Sequence, residues 1–240
     1  MSRVPASDVR TVTDTTPLLP SIQASLDRLQ AERDETWSAP DLEANASVRR
    51  NLEERVNRDG IVKEGDVVES FTLAEVDGGV VSLTELLADG PVVLVFFRFE
   101  GCPACNAAWS AYRESLAPAL RDLGAHLVAV SPQVPEKLVL FKRRHRLDCL
   151  VASDPDGILL HRFGIAFSPS EEERSRQRQE GKDLGAVLGA GNWDLPYPTA
   201  VVIGQDQVVR FADAHPDWMV RTESETIIDA VRALSSVAST

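Results

Sequence analysis

The chain has 240 residues, of which 43% are hydrophobic and 26% are charged, a balance typical of a folded globular protein. Its formal net charge of -12 argues against nucleic acid or an acidic membrane surface as the main partner. The N-terminus has no long apolar core, and no stretch reaches the roughly eighteen apolar residues of a membrane span. We therefore predict a cytoplasmic protein with no nucleic-acid or membrane partner.

Residues 1–62 are predicted to form a tail and an N-terminal helical extension. Residues 1–18 are rich in Thr, Pro and Asp and show no periodic pattern, which is typical of a mobile tail. Two sets of apolar residues at helical spacing follow, and they are Leu19, Ile22, Leu26 and Leu29, then Ala44, Val48, Leu52 and Val56. We expect these amphipathic helices to cover the main domain with their apolar faces, and a role in dimerisation is the alternative.

Residues 63–240 are predicted to form one α/β domain. Short apolar runs that predict strands are found at residues 70–76, 80–83, 91–99, 126–131, 149–154, 199–204 and 207–212. Helical patterns cover residues 103–123 and 135–146 and a terminal helix. Strands that alternate with helices indicate a parallel or mixed sheet. Residues 166–193 interrupt this alternation as an insertion, in which Ser170 and Glu173 have the spacing of a helix capping box.

Two of the three cysteines stand at a predicted junction between a strand and a helix. Cys102 follows the apolar run, and Pro103 occupies a position where the missing N–H of proline costs nothing. The unpaired N–H groups of the first helical turn would lower the pKa of the Cys102 thiol. Cys105 lies one turn further, within the Cα separation that a disulfide tolerates. The pair is therefore predicted to be redox-active.

Zinc is the alternative use of these cysteines. The segment "HRLDC" offers His145 and Cys149, which with Cys102 and Cys105 would complete a tetrahedral set of ligands. Cys149 opens an apolar run, however, and His145 ends a basic helical stretch, so core packing and a solvated face are their default roles. We expect no bound metal and no cofactor, and we expect Cys149 to be a structural residue.

The chain resembles the peroxiredoxin-like AhpC/TSA (redoxin) branch of the thioredoxin superfamily. The segments that carry the resemblance are "EGDVVESFTLAEVDGGVVSLTELL", "GPVVLVFFRFEGCPAC", "VAVSPQ", "SDPDGILLHRFGIAF" and "WDLPYPTAVVI". The resemblance covers roughly residues 63–236. It implies a thioredoxin-like fold, with a central mixed sheet flanked by helices. It also implies that Pro198 is a cis-proline facing the cysteine pair, with backbone groups of Tyr197 beside the sulfurs and available to a substrate.

The family motifs permit two registers. Aligned on the peroxiredoxin Pro-x-x-x-Thr-x-x-Cys motif, Cys105 takes the peroxidatic position, Cys102 replaces the Thr and Arg98 replaces the Pro. In that register Pro198 stands where the family has a distant Arg. Arg98 is then the candidate cation nearest to the cysteines in the sequence. Aligned on thioredoxin instead, Cys102 attacks and Cys105 resolves.

The resemblance implies a thiol-dependent antioxidant oxidoreductase that reduces hydroperoxides through a reversible Cys102–Cys105 disulfide. Its reductant would be a thioredoxin-like protein or a low-molecular-weight thiol, and a homodimer is compatible with the sequence. A protein-disulfide reductase and a zinc-binding interaction module are the competing functions. We also expect residues 168–193 to lie near the active site, because they lead directly to Tyr197 and Pro198 and long insertions are often substrate lids.

Overall fold

The N-terminal extension is helical, as predicted. The structure, a computed structural model, describes residues 21–189 and 191–237. Helix α1 spans Ile22–Thr36 and helix α2 spans Ala39–Arg55. The tail predicted for residues 1–18 lies outside the described residues.

The two helices contribute unequally to the core. Helix α1 buries Ile22 and Leu26 completely, and it packs along the helix that carries the cysteines. Helix α2 has no fully buried residue, although Val48 and Leu52 are partly buried against the core. The apolar stripe of α1 therefore covers the main domain, while α2 lies more loosely outside it.

Within the described residues, seven strands form the central sheet in the order β2-β1-β5-β4-β3-β8-β9. Their bounds are β1 Thr72–Glu75, β2 Val80–Ser82, β3 Val92–Phe96, β4 His126–Ser131, β5 Leu150–Ser153, β8 Thr199–Ile203 and β9 Val209–Ala214. Strands β3, β4 and β5 run parallel to one another, and the other pairings are antiparallel. The sheet is therefore mixed, as predicted.

Helices cover both faces of this sheet. They are α3 Leu83–Asp89, α4 Pro103–Glu114, α5 Leu116–Asp122, α6 Pro135–His145, α7 Ile158–Arg162 and α10 Ser224–Val237. Strand β3 is buried along its whole length, and its side chains alternate between the two cores. Val93 and Val95 face the core that contains both cysteines, whereas Leu94 and Phe96 face the opposite core. The fold is α/β and thioredoxin-like.

The insertion forms a small unit of its own. Residues 166–193 contain β6 Ala166–Phe167, α8 Glu171–Gln179 and α9 Leu184–Leu188, and β6 pairs antiparallel with β7 Leu195–Pro196, which directly follows the insertion. The predicted capping box is present at the start of α8, where the Ser170 and Glu173 side chains each bond the backbone of the other residue.

The helical stretch predicted for residues 103–123 is broken into two helices. Helix α4 ends at Glu114, and α5 begins at Leu116, with Ser115 between them. Pro118 has no N–H to donate to the carbonyl of Glu114, and its ring would clash with that carbonyl in a continuous helix. The chain therefore bends just before this proline.

No helix in the described part of the chain is long and apolar enough to cross a bilayer.

Candidate active site

The two cysteines lie at the carboxyl end of strand β3. Cys102 is the N-cap of helix α4, and Pro103 is the first helical residue. The backbone N–H of Cys102 donates to the carbonyl of Phe99 at 3.1 Å, which turns the chain from strand to helix. Cys102 is 3% exposed and Cys105 is fully buried. The predicted junction is confirmed, but neither sulfur is open to solvent.

The two thiols differ in pKa, and the lower pKa belongs to Cys105. Burial acts to raise the pKa of Cys105, but the Cys102 thiol donates to its sulfur, and Arg221 and Arg98 add positive charge, so that the pKa falls to about 5. The hydrogen bond to Cys105, burial and the charge of Cys105 together hold the pKa of Cys102 well above its ordinary value. The expectation that the helix terminus lowers the pKa of Cys102 is therefore wrong, because its proton is shared with the neighbouring thiolate.

A guanidinium that the sequence analysis missed lies against the Cys105 sulfur. Arg221 is 8% exposed and donates from Nη2 to Cys105 Sγ at 3.5 Å. Its Nη1 donates to the backbone carbonyls of Trp218 and Val220, which hold the guanidinium in place. The only local signal for this role is the apolar setting of Arg221 in "DWMVRTES". The cation therefore comes from the segment between β9 and α10.

Arg98 is the second cation beside the sulfurs. Its charge lowers the pKa of both cysteines, and a backbone hydrogen bond from Arg98 also reaches Cys105. The Arg98 guanidinium lies 4.5 Å from the ring centroid of Trp218 and 5.5 Å from that of Phe99. Its buried Nε has no hydrogen-bond partner among the described residues. Arg98 thus offers an unused donor next to the cysteine pair.

Tyr197 and Pro198 differ from the expected arrangement. No peptide bond in the described residues is cis, so the cis-proline expected at Pro198 is wrong. The backbone N–H of Tyr197 donates to Ile165, and its carbonyl accepts from Thr199 Oγ1 at 2.8 Å. The ring of Tyr197 stacks on Phe167 in the core of the opposite sheet face. Because these backbone groups are already bonded, a role for Tyr197 and Pro198 in substrate binding stays a prediction.

The proposed zinc ligands do not form a cluster. Nε2 of His145 lies 2.9 Å from Asn106 Oδ1, and the ring packs against Phe141. Burial and the charge of Asp148 raise the pKa of Cys149 to about 12. Among the residues that the structure describes, no group of three or more His, Cys, Asp or Glu side chains is placed to hold a metal ion. His145 and Cys149 are therefore not gathered with Cys102 and Cys105 into one set of four ligands in the described part of the chain.

The insertion reaches the loop that precedes Cys102. A small apolar cluster joins three residues of the insertion, Leu184, Leu188 and Trp193, to Leu195, which follows it. Phe99 packs against both this cluster and the core that contains the cysteines. Gln133 adds a polar link, because its Nε2 donates to the carbonyl of Val187 while its Oε1 accepts from the backbone of Glu100. The insertion is thus adjacent to the cysteine loop.

The chain is similar to known peroxiredoxins in sequence and in fold. It is 33% identical to a putative peroxiredoxin of Mycobacterium tuberculosis over 104 residues, which are 43% of this chain and 67% of that protein. It is 30% identical to peroxiredoxin Bcp of Escherichia coli over 105 residues, 43% of this chain and 65% of that protein. Peroxidoxin BcpB of Mycobacterium tuberculosis has the same fold with a TM-score of 0.57 and 24% identity, covering 72% of this chain and 98% of that one. The sequence profile of the AhpC/TSA family matches residues 65–212, and the chain therefore belongs to this family.

Proposed function

We propose that the protein is a thiol peroxidase that reduces hydroperoxides, with Cys105 as the attacking sulfur and Cys102 as the resolving one. The observation that carries the proposal is the buried Cys105 sulfur, which accepts from Nη2 of Arg221 at 3.5 Å, and the lowered pKa of this thiol supports it. Family membership and the similarity to proteins named as peroxiredoxins support the same reaction class.

The first step is the transfer of an oxygen atom to sulfur. The Cys105 thiolate attacks the distal oxygen of the hydroperoxide, an S–O bond forms, and the O–O bond breaks. The departing oxygen carries negative charge and takes up a proton to leave as water or an alcohol. Two cations are available to stabilise that charge in the transition state. They are Arg221, which donates to Cys105 Sγ, and Arg98, whose buried Nε has no hydrogen-bond partner among the described residues. Cys105 is left as a sulfenic acid.

The second step closes a disulfide. Cys102 gives up its proton and attacks the Cys105 sulfenic sulfur, so that an S–S bond forms and water leaves. The cycle ends when an external thiol, from a thioredoxin-like protein or a small molecule, reduces the disulfide. Because the pair is buried, the first turn of α4 must open for that reductant.

The burial of both sulfurs favours a peroxide over a protein disulfide as the oxidant. A protein substrate must bring its own sulfur into line with the attacking thiolate, so the first turn of α4 would have to open for this first attack as well as for the reductant. Cys102 is 3% exposed and Cys105 has no exposed surface. A small hydroperoxide needs far less room. The Cys-x-x-Cys spacing alone supports the alternative, a protein-disulfide reductase.

Rapid mixing of the reduced protein with hydrogen peroxide tests the proposal. We expect fast oxidation of the wild type and of Cys102→Ser, with a sulfenate trap labelling Cys105 in that variant. Cys105→Ser should lose the fast reaction, and Cys149→Ser should keep it, because burial and Asp148 hold the pKa of Cys149 high. A wild type that reacts no faster than a free thiol of the same pKa would refute the peroxidase assignment.

A further inference from the structure

The hydrogen bonds that shape the Arg221 side chain are local. Its Nη1 donates to the backbone carbonyls of Trp218 and Val220, which belong to the same segment between β9 and α10. These bonds fix the guanidinium within its segment, but they do not fix the segment against helix α4. The 3.5 Å contact of Nη2 with Cys105 Sγ therefore depends on other contacts that hold the segment to this helix.

One such contact joins Tyr112 of α4 to Thr222, the residue that follows Arg221. The Tyr112 hydroxyl donates to the carbonyl oxygen of Thr222 at 2.7 Å, and both residues are buried. Tyr112 follows Cys105 by seven residues, or about two helical turns, so both lie on one face of α4, about 10 Å apart along its axis. Two adjacent residues of the segment, Arg221 and Thr222, are thus bonded to two points of one helix.

The side chain of Thr222 is held by strand β9. Thr222 Oγ1 donates to Asp213 Oδ2 at 2.9 Å, and Nε2 of His215 lies 2.9 Å from the same oxygen. The hydrogen bond with His215 lowers the pKa of Asp213, burial opposes it, and the bond from Thr222 adds to the lowering. Asp213 is therefore an ionised acceptor at neutral pH. Because Asp213 belongs to β9, Thr222 is anchored to the central sheet as well as to α4.

The Tyr112 hydroxyl remains a donor over the pH range in which Cys105 ionises. Burial raises the pKa of Tyr112 above its ordinary value. The charged groups that face it are Arg221, which opposes the rise, and Glu223, Asp213 and Cys105, which add to it. The hydrogen bond to the Thr222 carbonyl is therefore present whether Cys105 is a thiol or a thiolate.

We propose that Tyr112 is a positioning residue for Arg221. Its hydroxyl holds the carbonyl of Thr222, so that the guanidinium of the preceding residue stays at the sulfur of Cys105. Asp213 supports the same arrangement through the Thr222 side chain. The inference rests on the proposed peroxidase function and deepens it, because it names what fixes the cation of the site. In this role Tyr112 acts through Arg221 and transfers no proton.

Thiolate titration and rapid mixing in the Cys102→Ser background test this role. The ultraviolet absorbance of the thiolate gives the pKa of Cys105, and mixing with hydrogen peroxide gives the oxidation rate. Tyr112→Phe keeps the edge-on ring contact with Trp109 and removes only the hydroxyl. We expect its midpoint to rise by about half a unit and its oxidation to slow about ten-fold, because a displaced Arg221 stabilises the thiolate and the departing oxygen less well.

Ser115→Ala is the matched control. Ser115 carries a second buried hydroxyl that follows α4, and its Oγ lies 2.6 Å from that of Ser224, which begins α10 three residues after Arg221. Like Tyr112→Phe, this variant removes a buried hydrogen bond to the same stretch of chain and should lower the melting temperature. Its Cys105 midpoint and oxidation rate should match those of the parent, because the bond that it removes is not next to Arg221.

A double variant shows whether Tyr112 acts through Arg221. In the Arg221→Met background, Tyr112→Phe should change neither the midpoint nor the rate further, because the group that Tyr112 positions is gone. Thr222→Val removes the donor to Asp213 and keeps the carbonyl, so it should act in the same direction as Tyr112→Phe. Thr222→Ser keeps the hydroxyl and should restore the values of the parent.

The role of Tyr112 is overturned if Tyr112→Phe leaves both the midpoint and the rate unchanged. An equally large effect of this substitution with and without Arg221 would also overturn it. If Tyr112→Phe does not fold, equal values for Thr222→Val and Thr222→Ser would count against the proposal in the same way. Slow oxidation of the Cys102→Ser parent would instead refute the peroxidase, whereas the titration of Cys105 needs no peroxide and would still test the positioning.

Discussion

Replacing Arg221 with Met tests the electrostatics of the site most directly. The substitution removes the donor 3.5 Å from Cys105 Sγ and keeps much of the aliphatic volume. A hydrogen bond to a buried charged group contributes about 1.5–3 kcal/mol. Since one pKa unit corresponds to about 1.36 kcal/mol, the loss should move the pKa of Cys105 from about 5 to between about 6 and 7. At neutral pH at least about half of the protein would still carry the thiolate.

The rate of peroxide oxidation should fall much further than the thiolate population. Removing one donor that stabilises a developing oxyanion typically costs about 100- to 1,000-fold in rate. Arg98 remains beside the sulfurs, so we expect the lower end of that range for Arg221→Met. Arg221→Lys keeps the charge without the planar fork and should lose less. The thiolate titration and the oxidation rate thus report two separate contributions of the same side chain.

The assay is best performed in the Cys102→Ser background, where the hydroxyl still donates to Cys105 and no disulfide forms. The ultraviolet absorbance of the thiolate gives the pKa, and rapid mixing with peroxide gives the rate. Arg232→Met is the control, because Arg232 pairs with Glu225 and Asp229 on the surface of α10. Melting curves of Arg221→Met and Arg232→Met must accompany these measurements, since Arg221→Met leaves the carbonyl of Trp218 without its donor. If Arg221→Met folds, keeps its midpoint and oxidises at the wild-type rate, the assignment of Arg221 is refuted.

Three further outcomes follow from the structure. Because the pKa of Cys105 is lowered from 9.0 to about 5, its ionisation should stabilise the reduced protein most near pH 9, and denaturant titrations should show the gain over Cys105→Ser shrink as the pH falls below about 9 and vanish below about 5. Cys149→Ala should leave turnover within a few-fold of wild type, and an absence of disulfide in that variant would instead make Cys149 the resolving residue. Glu223→Ala should lower the free energy of unfolding by about 1–3 kcal/mol, because three donors at the start of α1 lose their acceptor. Denaturant titration measures this change, and unchanged stability would show that α1 does not depend on this cap.

Local sequence patterns were sufficient to predict the elements that carry the cysteines. The run from Val92 to Phe96 is apolar at every position because both faces of β3 are covered, and this pattern indicates a central strand without knowledge of the partners. Pro103 after Cys102 predicted the start of α4 correctly, and the Ser170 and Glu173 pair predicted the start of α8. These signals depend on neighbours within one helical turn, which the sequence shows directly.

The electrostatics of the site could not be predicted in the same way. Arg221 is 116 residues from Cys105, and only the packing of the segment after β9 brings it to the sulfur. The assignment of the low pKa to Cys105 depends on which thiol donates to the other, and that is set by the three-dimensional arrangement around them. A local argument from the helix terminus selected Cys102 instead. Contacts between residues distant in sequence therefore set the pKa of each cysteine, whereas patterns within one helical turn were sufficient to predict the strand and helix that carry them.

The residues of the proposed active site extend beyond the segment that matches the family. Residues 65–212 contain Cys102, Cys105 and Arg98, but Arg221 follows that segment. The segment after β9 thus adds positive charge beside a pair of sulfurs that the family segment delivers. A buried thiolate needs such charge because burial alone would keep it protonated. The contacts of helix α1 with Glu223 and Met219 hold this helix against the same segment that supplies Arg221, so a change in that segment should act on both.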